Sequence, residues 1–173
     1  QDSLLSDLFA KRDDGQRRFR RALIGLPRKN GKSALSSGIA LAELFYTGPD
    51  GGEIFSCAAD RDQARIVFGM ARQMVQMEPE LEAMCKVYRD AIERTDNGSV
   101  YRVLSAEAYT KEGLSPSLTI FDEVHAQPND ELWNVMSLAA GARREPLLLG
   151  ITTAGVMTDR LGNPTLCHRL FEH

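Results

Sequence analysis

Cysteine is scarce: Cys57, Cys85 and Cys167 stand far apart, with no C-x-x-C pair among them. That argues against a zinc site and a disulfide framework, and fits a reducing compartment. Long apolar runs are missing as well, none approaching the roughly 20 residues of a membrane span. No charged segment followed by an apolar stretch resembles a secretory leader. Charge of one sign is also lacking, since 21 Lys+Arg against 24 Asp+Glu leave a net −3. A global nucleic-acid signature is thereby excluded, although a local basic face is not. There are no repeats and no low-complexity tracts. These absences predict a soluble, intracellular protein with no membrane partner.

What is present is an ordinary globular composition, 43% apolar and 26% charged over 173 residues, enough for one domain with a substantial core. Gln1 is not an initiator methionine and Leu166 to His173 reads as a helix cut in mid-run. A piece of a longer protein is therefore expected. Arg12, Arg17, Arg18, Arg20 and Arg21 form the densest positive run, read as a solvated approach to the first strand.

The periodicities alternate. Residues 4–10 suit a short amphipathic helix, Arg21 to Leu26 a strand, and Ser33 to Tyr46 a helix. Glu53 to Ala58 reads as a strand and Arg61 to Met77 as a helix, with Pro79 as a boundary. Val87 to Glu93 and Ser99 to Leu104 flank Asp96-Asn97-Gly98, which predicts a β-hairpin within 87–105. Leu118 to Phe121 and Leu147 to Thr152 read as buried strands, with a helix over Asp130 to Ala142 between them. Trp133 with Leu132, Val135, Met136 and Leu138, and the set Phe68, Met70, Met74 and Met77, are expected to be core. The alternation predicts an α/β fold with a mainly parallel central sheet flanked by helices.

Two segments carry chemistry. Leu26-Pro27-Arg28-Lys29-Asn30-Gly31-Lys32-Ser33 is a variant of G-x-x-x-x-G-K-[ST], with Leu26 at the first glycine position. Its phosphate-touching end is intact. Gly31 admits close backbone approach, and the following helix presents its positive end. Lys32 would bridge the β- and γ-phosphates, and Ser33 would give its hydroxyl to Mg²⁺. The second segment, Leu118 to Glu123, is an apolar strand ending in Asp122 and Glu123. In nucleotide hydrolases the first such acid serves the magnesium and the second polarises the attacking water. Together the segments predict an ATPase of the P-loop NTPase class, ASCE type, using ATP and Mg²⁺.

The loop Pro27 to Ser33 resembles the arginine-containing phosphate loop of tailed-bacteriophage terminase large subunits. Ala58 to Ala64, Lys111 to Pro116 ahead of Asp122-Glu123-Val124-His125, and Thr152-Thr153-Ala154-Gly155 resemble further segments of that family's N-terminal ATPase domain. The resemblance implies ATP hydrolysis powering translocation of double-stranded DNA in viral genome packaging, in the host cytoplasm. It implies a homo-oligomeric ring, a portal protein and a small terminase subunit as partners, and a nuclease domain beyond residue 173. It further implies Glu123 as the catalytic carboxylate, Asp122 on the magnesium side and Arg28 on the γ-phosphate side. Gln1 would read adenine, Thr152 and Thr153 would couple hydrolysis to motion, and Lys111 would complete a neighbouring subunit's site. Arg61 and Arg102 are substitutes for that last role.

Asp122-Glu123-Val124-His125 also matches the DExH signature of helicases, which is the alternative function. Those enzymes usually have glycine where Lys29 stands and no arginine at Arg28. A non-catalytic nucleotide sensor is a third class, disfavoured by Lys32, Ser33, Asp122 and Glu123 being intact. His125 is expected to make local hydrogen bonds and not to bind metal.

Overall fold

The computed structural model describes residues 2–105, 113–127, 129–153, 155, 157–159 and 161–172. The elements run α1 (Asp2–Leu8), β1 (Arg21–Gly25), α2 (Lys32–Ala42), β2 (Glu53–Ala58), α3 (Arg61–Met77), α4 (Pro79–Ala83) and β3 (Cys85–Val87). Then follow β4 (Ala91–Arg94), β5 (Val100–Ser105), β6 (Pro116–Asp122), α5 (Glu131–Ala140), β7 (Leu147–Thr152) and α6 (Leu166–Glu172). Seven strands form one sheet in the order β1-β7-β6-β2-β5-β4-β3. The first five are parallel and the last two antiparallel. This is the α/β architecture with a mainly parallel sheet that the alternation predicts.

Period-2 side chains split the sheet into two cores. From β2, Ile54 and Ala58 enter a core with Ile39 of α2 and Phe68 of α3. Phe55 and Cys57 enter the opposite core with Trp133 and Met136 of α5. Strands β6 and β7 divide likewise, which is why they read as unbroken apolar runs. Trp133 is core as expected, with its ring centroid 4.9 Å from that of Phe121, whereas Leu138 of the same expected set is 81% exposed on the outer side of α5.

Several local expectations need correction. The helix after the loop does not run to Tyr46 as one α-helix; it ends at Ala42 and continues as a π-helical turn, Glu43–Thr47. That turn carries Glu43 inward, where its Oε2 meets Arg17 Nη2 at 2.5 Å and Thr47 Oγ1 at 2.7 Å. Arg17 is accordingly 8% exposed and is not part of a solvated run. Val87 to Glu93 is not one strand: β3 and β4 are separate, and the turn between them is anchored to α3, where Arg61 and Arg65 hold the Asp90 carboxylate at 3.0 and 2.8 Å. Pro79 is the boundary expected after α3, and it also opens α4, where a first-turn proline loses no hydrogen bond. Finally, Met70, Met74 and Met77 are not core; they face away from the buried stripe of α3 formed by Ala64, Val67, Phe68, Ala71 and Val75.

Candidate functional site

Parallel pairing brings four strand ends to one edge of the sheet. Gly25 of β1 lies opposite Thr152 of β7, Asp122 of β6 opposite Ile151, and Cys57 of β2 opposite Phe121. Such a carboxyl edge is where parallel α/β sheets receive ligands. The loop from Leu26 starts with its N–H donated to the Thr152 carbonyl (3.0 Å) and ends at Gly31, in the left-handed region with φ 71°, so that α2 begins at Lys32. The first-turn N–H groups of α2 have no carbonyl within the helix to serve. Among the described residues only Lys29 (φ 63°) and Glu123 (φ 50°) are non-glycine residues with positive φ. Both line one cavity, of about 420 Å³, together with Arg28, Gly31, Lys32 and Ser33. Strained backbone of this kind persists where surrounding structure over-determines it, commonly at functional sites.

Within that cavity Lys32, 8% exposed, places Nζ 3.5 Å from Glu123 Oε1. Asp122 lies behind, buried, its Oδ1 accepting the Glu123 N–H at 3.1 Å. Burial, and then the adjacent Glu123 charge, push the Asp122 carboxyl up to about 6, against opposing pulls from that N–H and Lys32. A second cavity, about 290 Å³, adjoins through Glu123 and His125 and is lined by Asp60, Gln63 and Asp122. Asp60 caps α3 by accepting the Gln63 N–H at 2.9 Å. A divalent cation suits this donor set: a buried carboxylate made costly by its acidic neighbour, and the Ser33 hydroxyl in the adjoining cavity. No group of three or more His, Cys, Asp or Glu able to hold a metal occurs among the described residues.

The structure thus gathers Arg28, Lys29, Gly31, Lys32, Ser33 and Glu123 around one cavity, with Asp122 beside it. Pro27 and Asn30 lie exposed in the same loop. Thr152 and Thr153 do not line it; both are buried at the end of β7. His125, read from sequence only as a local hydrogen-bonding residue, stands between: its Nδ1 is 3.2 Å from Glu123 Oε2 and 2.9 Å from Thr152 Oγ1. Its site role was signalled only by its place two residues after Glu123. Met70, assigned to the core from sequence, also lines the cavity. Arg61 is engaged with Asp90 in its own chain. Gln1 and Lys111 lie outside the described residues.

Known proteins share this fold and much of this sequence. The family described as "Terminase large subunit, ATPase domain" matches residues 1–163. The large terminase subunit of Enterobacteria phage HK97 is 39% identical over 146 residues, 76% of this chain and 27% of that protein. Its crystal structure superposes with a TM-score of 0.74 at 34% identity, covering 85% of this chain and 31% of that one. The large terminase ATPase domain of Thermus phage P74-26 superposes with a TM-score of 0.65 at 22% identity, covering 92% of this chain and 75% of that one. The chain therefore spans less than a third of the length of the HK97 protein. No helix among the described residues is long and apolar enough to cross a membrane.

Proposed function

The chain belongs to the terminase large-subunit ATPase-domain family, and from that premise we propose that it binds Mg-ATP at the sheet's carboxyl edge and hydrolyses it to drive DNA translocation in viral genome packaging. The observation that carries this reading is the convergence of Lys32 and Glu123, 3.5 Å apart, on one cavity at the start of α2, with the buried Asp122 beside it.

The residues divide the work as follows. The free N–H groups at the start of α2 and the Lys32 ammonium bind the β- and γ-phosphates. Those phosphates compete with Glu123 for Lys32 and release its carboxylate. Glu123 then orients a water against the γ-phosphorus and accepts its proton as the P–O bond to ADP breaks. The Ser33 hydroxyl and the Asp122 side would hold magnesium, which would supply neutralising charge to the phosphate oxygens. Arg28, exposed on the loop, approaches from the γ-phosphate side. Thr152 and Thr153 carry the outcome into β7, Gln1 reads the adenine, and Lys111 serves the neighbouring subunit's site in a homo-oligomeric ring.

On this reading the partners are double-stranded DNA, a portal protein and a small terminase subunit, in the host cytoplasm. The nuclease activity lies outside residues 1–173. Structures of a large terminase from a thermophilic bacteriophage in complex with ADP and with ATP-γ-S, at 13% and 12% identity, share the fold. The test is nucleotide titration. Lys32→Ala is expected to lose ATP affinity and turnover together; ATP binding equal to wild type would overturn the assignment of the phosphate loop.

A further inference from the structure

We propose that His125 is a positioning residue, which holds Glu123 and passes the occupancy of the phosphate loop to the end of β7 by sharing one Nδ1–H between Glu123 and Thr152. The inference rests on the reading of Glu123 as the water-orienting carboxylate.

The direction of the His125–Thr152 contact follows from what else Thr152 bonds. Thr152 Oγ1 spends its only hydrogen on the Thr153 carbonyl, 2.9 Å away. Toward His125 it therefore accepts, from the backbone N–H at 3.3 Å and from the ring Nδ1 at 2.9 Å. Nδ1 is thus the ring nitrogen that presents a hydrogen to Thr152. Glu123 Oε2 lies 3.2 Å from the same nitrogen, yet it is buried with no aligned donor. Thr153 Oγ1 stands farther from the same nitrogen, at 3.4 Å, so the contest for its hydrogen is between Glu123 and Thr152, and in this structure Thr152, the nearest, has it.

The surroundings hold the ring at this junction. A Cβ placed on Gly155 would come within 2.9 Å of His125 Cβ and 3.3 Å of Cys167 Sγ. The glycine of Thr152-Thr153-Ala154-Gly155 is therefore what allows this segment to close on His125. Glu123 is fixed from the other side by its left-handed backbone and by Lys32 at 3.5 Å. When phosphates take Lys32, the carboxylate loses its cationic partner and becomes the stronger claimant on Nδ1–H. A small rotation of the ring transfers the bond, and Thr152 gives up that donor. Thr152 also accepts the Leu26 N–H at the start of the phosphate loop, so the chain of contacts returns to where it began.

The experiment compares His125→Ala, His125→Asn, His125→Gln and Thr152→Val by single-turnover hydrolysis with the chain in excess of ATP and Mg²⁺ present, and by ATP titration. His125→Ala should bind ATP like wild type and hydrolyse it about 10–100-fold more slowly, the usual loss when a group that orients a functional ligand is removed. His125→Asn should recover most of the rate, because its amide nitrogen stands where Nδ1 stood; His125→Gln, whose amide lies one bond further out, should not. The double variant His125→Ala/Thr152→Val should be no slower than His125→Ala, since both changes cut one link. A wild-type rate in His125→Ala, an Asn variant as slow as Ala, or losses that multiply would each overturn the proposal. So would loss of ATP binding in the Ala and Asn variants alike, which would assign His125 to the fold. Glu123→Gln is run in parallel. If it hydrolyses fully, the reading of Glu123 falls and this inference with it; if it is inactive while His125→Ala is unimpaired, only this inference falls.

Discussion

Asp122→Asn should make the ligand-free chain more stable. Burial and the Glu123 charge raise the Asp122 carboxyl from its ordinary 3.8 to about 6. A folded-state value above the unfolded one means that its contribution to stability is fully present below about pH 4 and is lost as pH rises through about 6. At about 1.4 kcal/mol per pH unit the loss amounts to about 3 kcal/mol at neutral pH. Asparagine escapes it while keeping the oxygen that accepts the Glu123 N–H at 3.1 Å. The gain corresponds to about 6–12 °C in Tm for a domain of this size. Urea and thermal melts of wild type and variant at about pH 4 and about pH 8, without magnesium or nucleotide, measure it. The two proteins should coincide at the lower pH and separate at the higher. A variant no more stable at about pH 8, or a difference independent of pH, would refute the argument that Asp122 is held at an electrostatic cost for the sake of the site.

A buried charge is also at stake at Arg17, which is paired with a fully buried Glu43 side chain. Arg17→Ala should cost about 3–5 kcal/mol by stranding that carboxylate; a urea-melt loss under about 1 kcal/mol would contradict a structural role. Mixing Lys111→Ala with Glu123→Gln chains should restore partial ATPase activity where neither alone is active, because some neighbouring pairs then hold one complete site. No rescue at any mixing ratio would remove Lys111 from the trans role.

The elements with both faces buried were legible almost to the residue, as Glu53–Ala58 and Leu147–Thr152 show. Their apolar runs have no solvent side to confuse the pattern. That Leu26 to Ser33 and Asp122-Glu123 meet at one sheet edge was equally legible, because each is a contiguous segment at a strand end. What sequence missed depends on partners distant in the chain. The π-helical turn follows from Glu43 reaching Arg17, and the break between β3 and β4 from Asp90 reaching Arg61 and Arg65. Met70 fits a helical apolar set by spacing, but Ala64, Val67, Phe68, Ala71 and Val75 already fill the inward stripe. His125 acquires its place only once β6 and β7 pair, which sets it against a threonine 27 positions away.

The central claim is that Glu123 orients the attacking water and does not merely hold nucleotide. Glu123→Gln keeps the shape of the side chain and removes the charge. ATP binding and hydrolysis of this variant, measured on one preparation with labelled nucleotide and Mg²⁺, test the claim most directly. ATP affinity equal to or above wild type is expected, because the change also frees Lys32 from its 3.5 Å contact with the carboxylate. Hydrolysis should fall by about 10²–10⁴-fold, the usual contribution of a positioned general base. Hydrolysis at the wild-type rate would contradict the account.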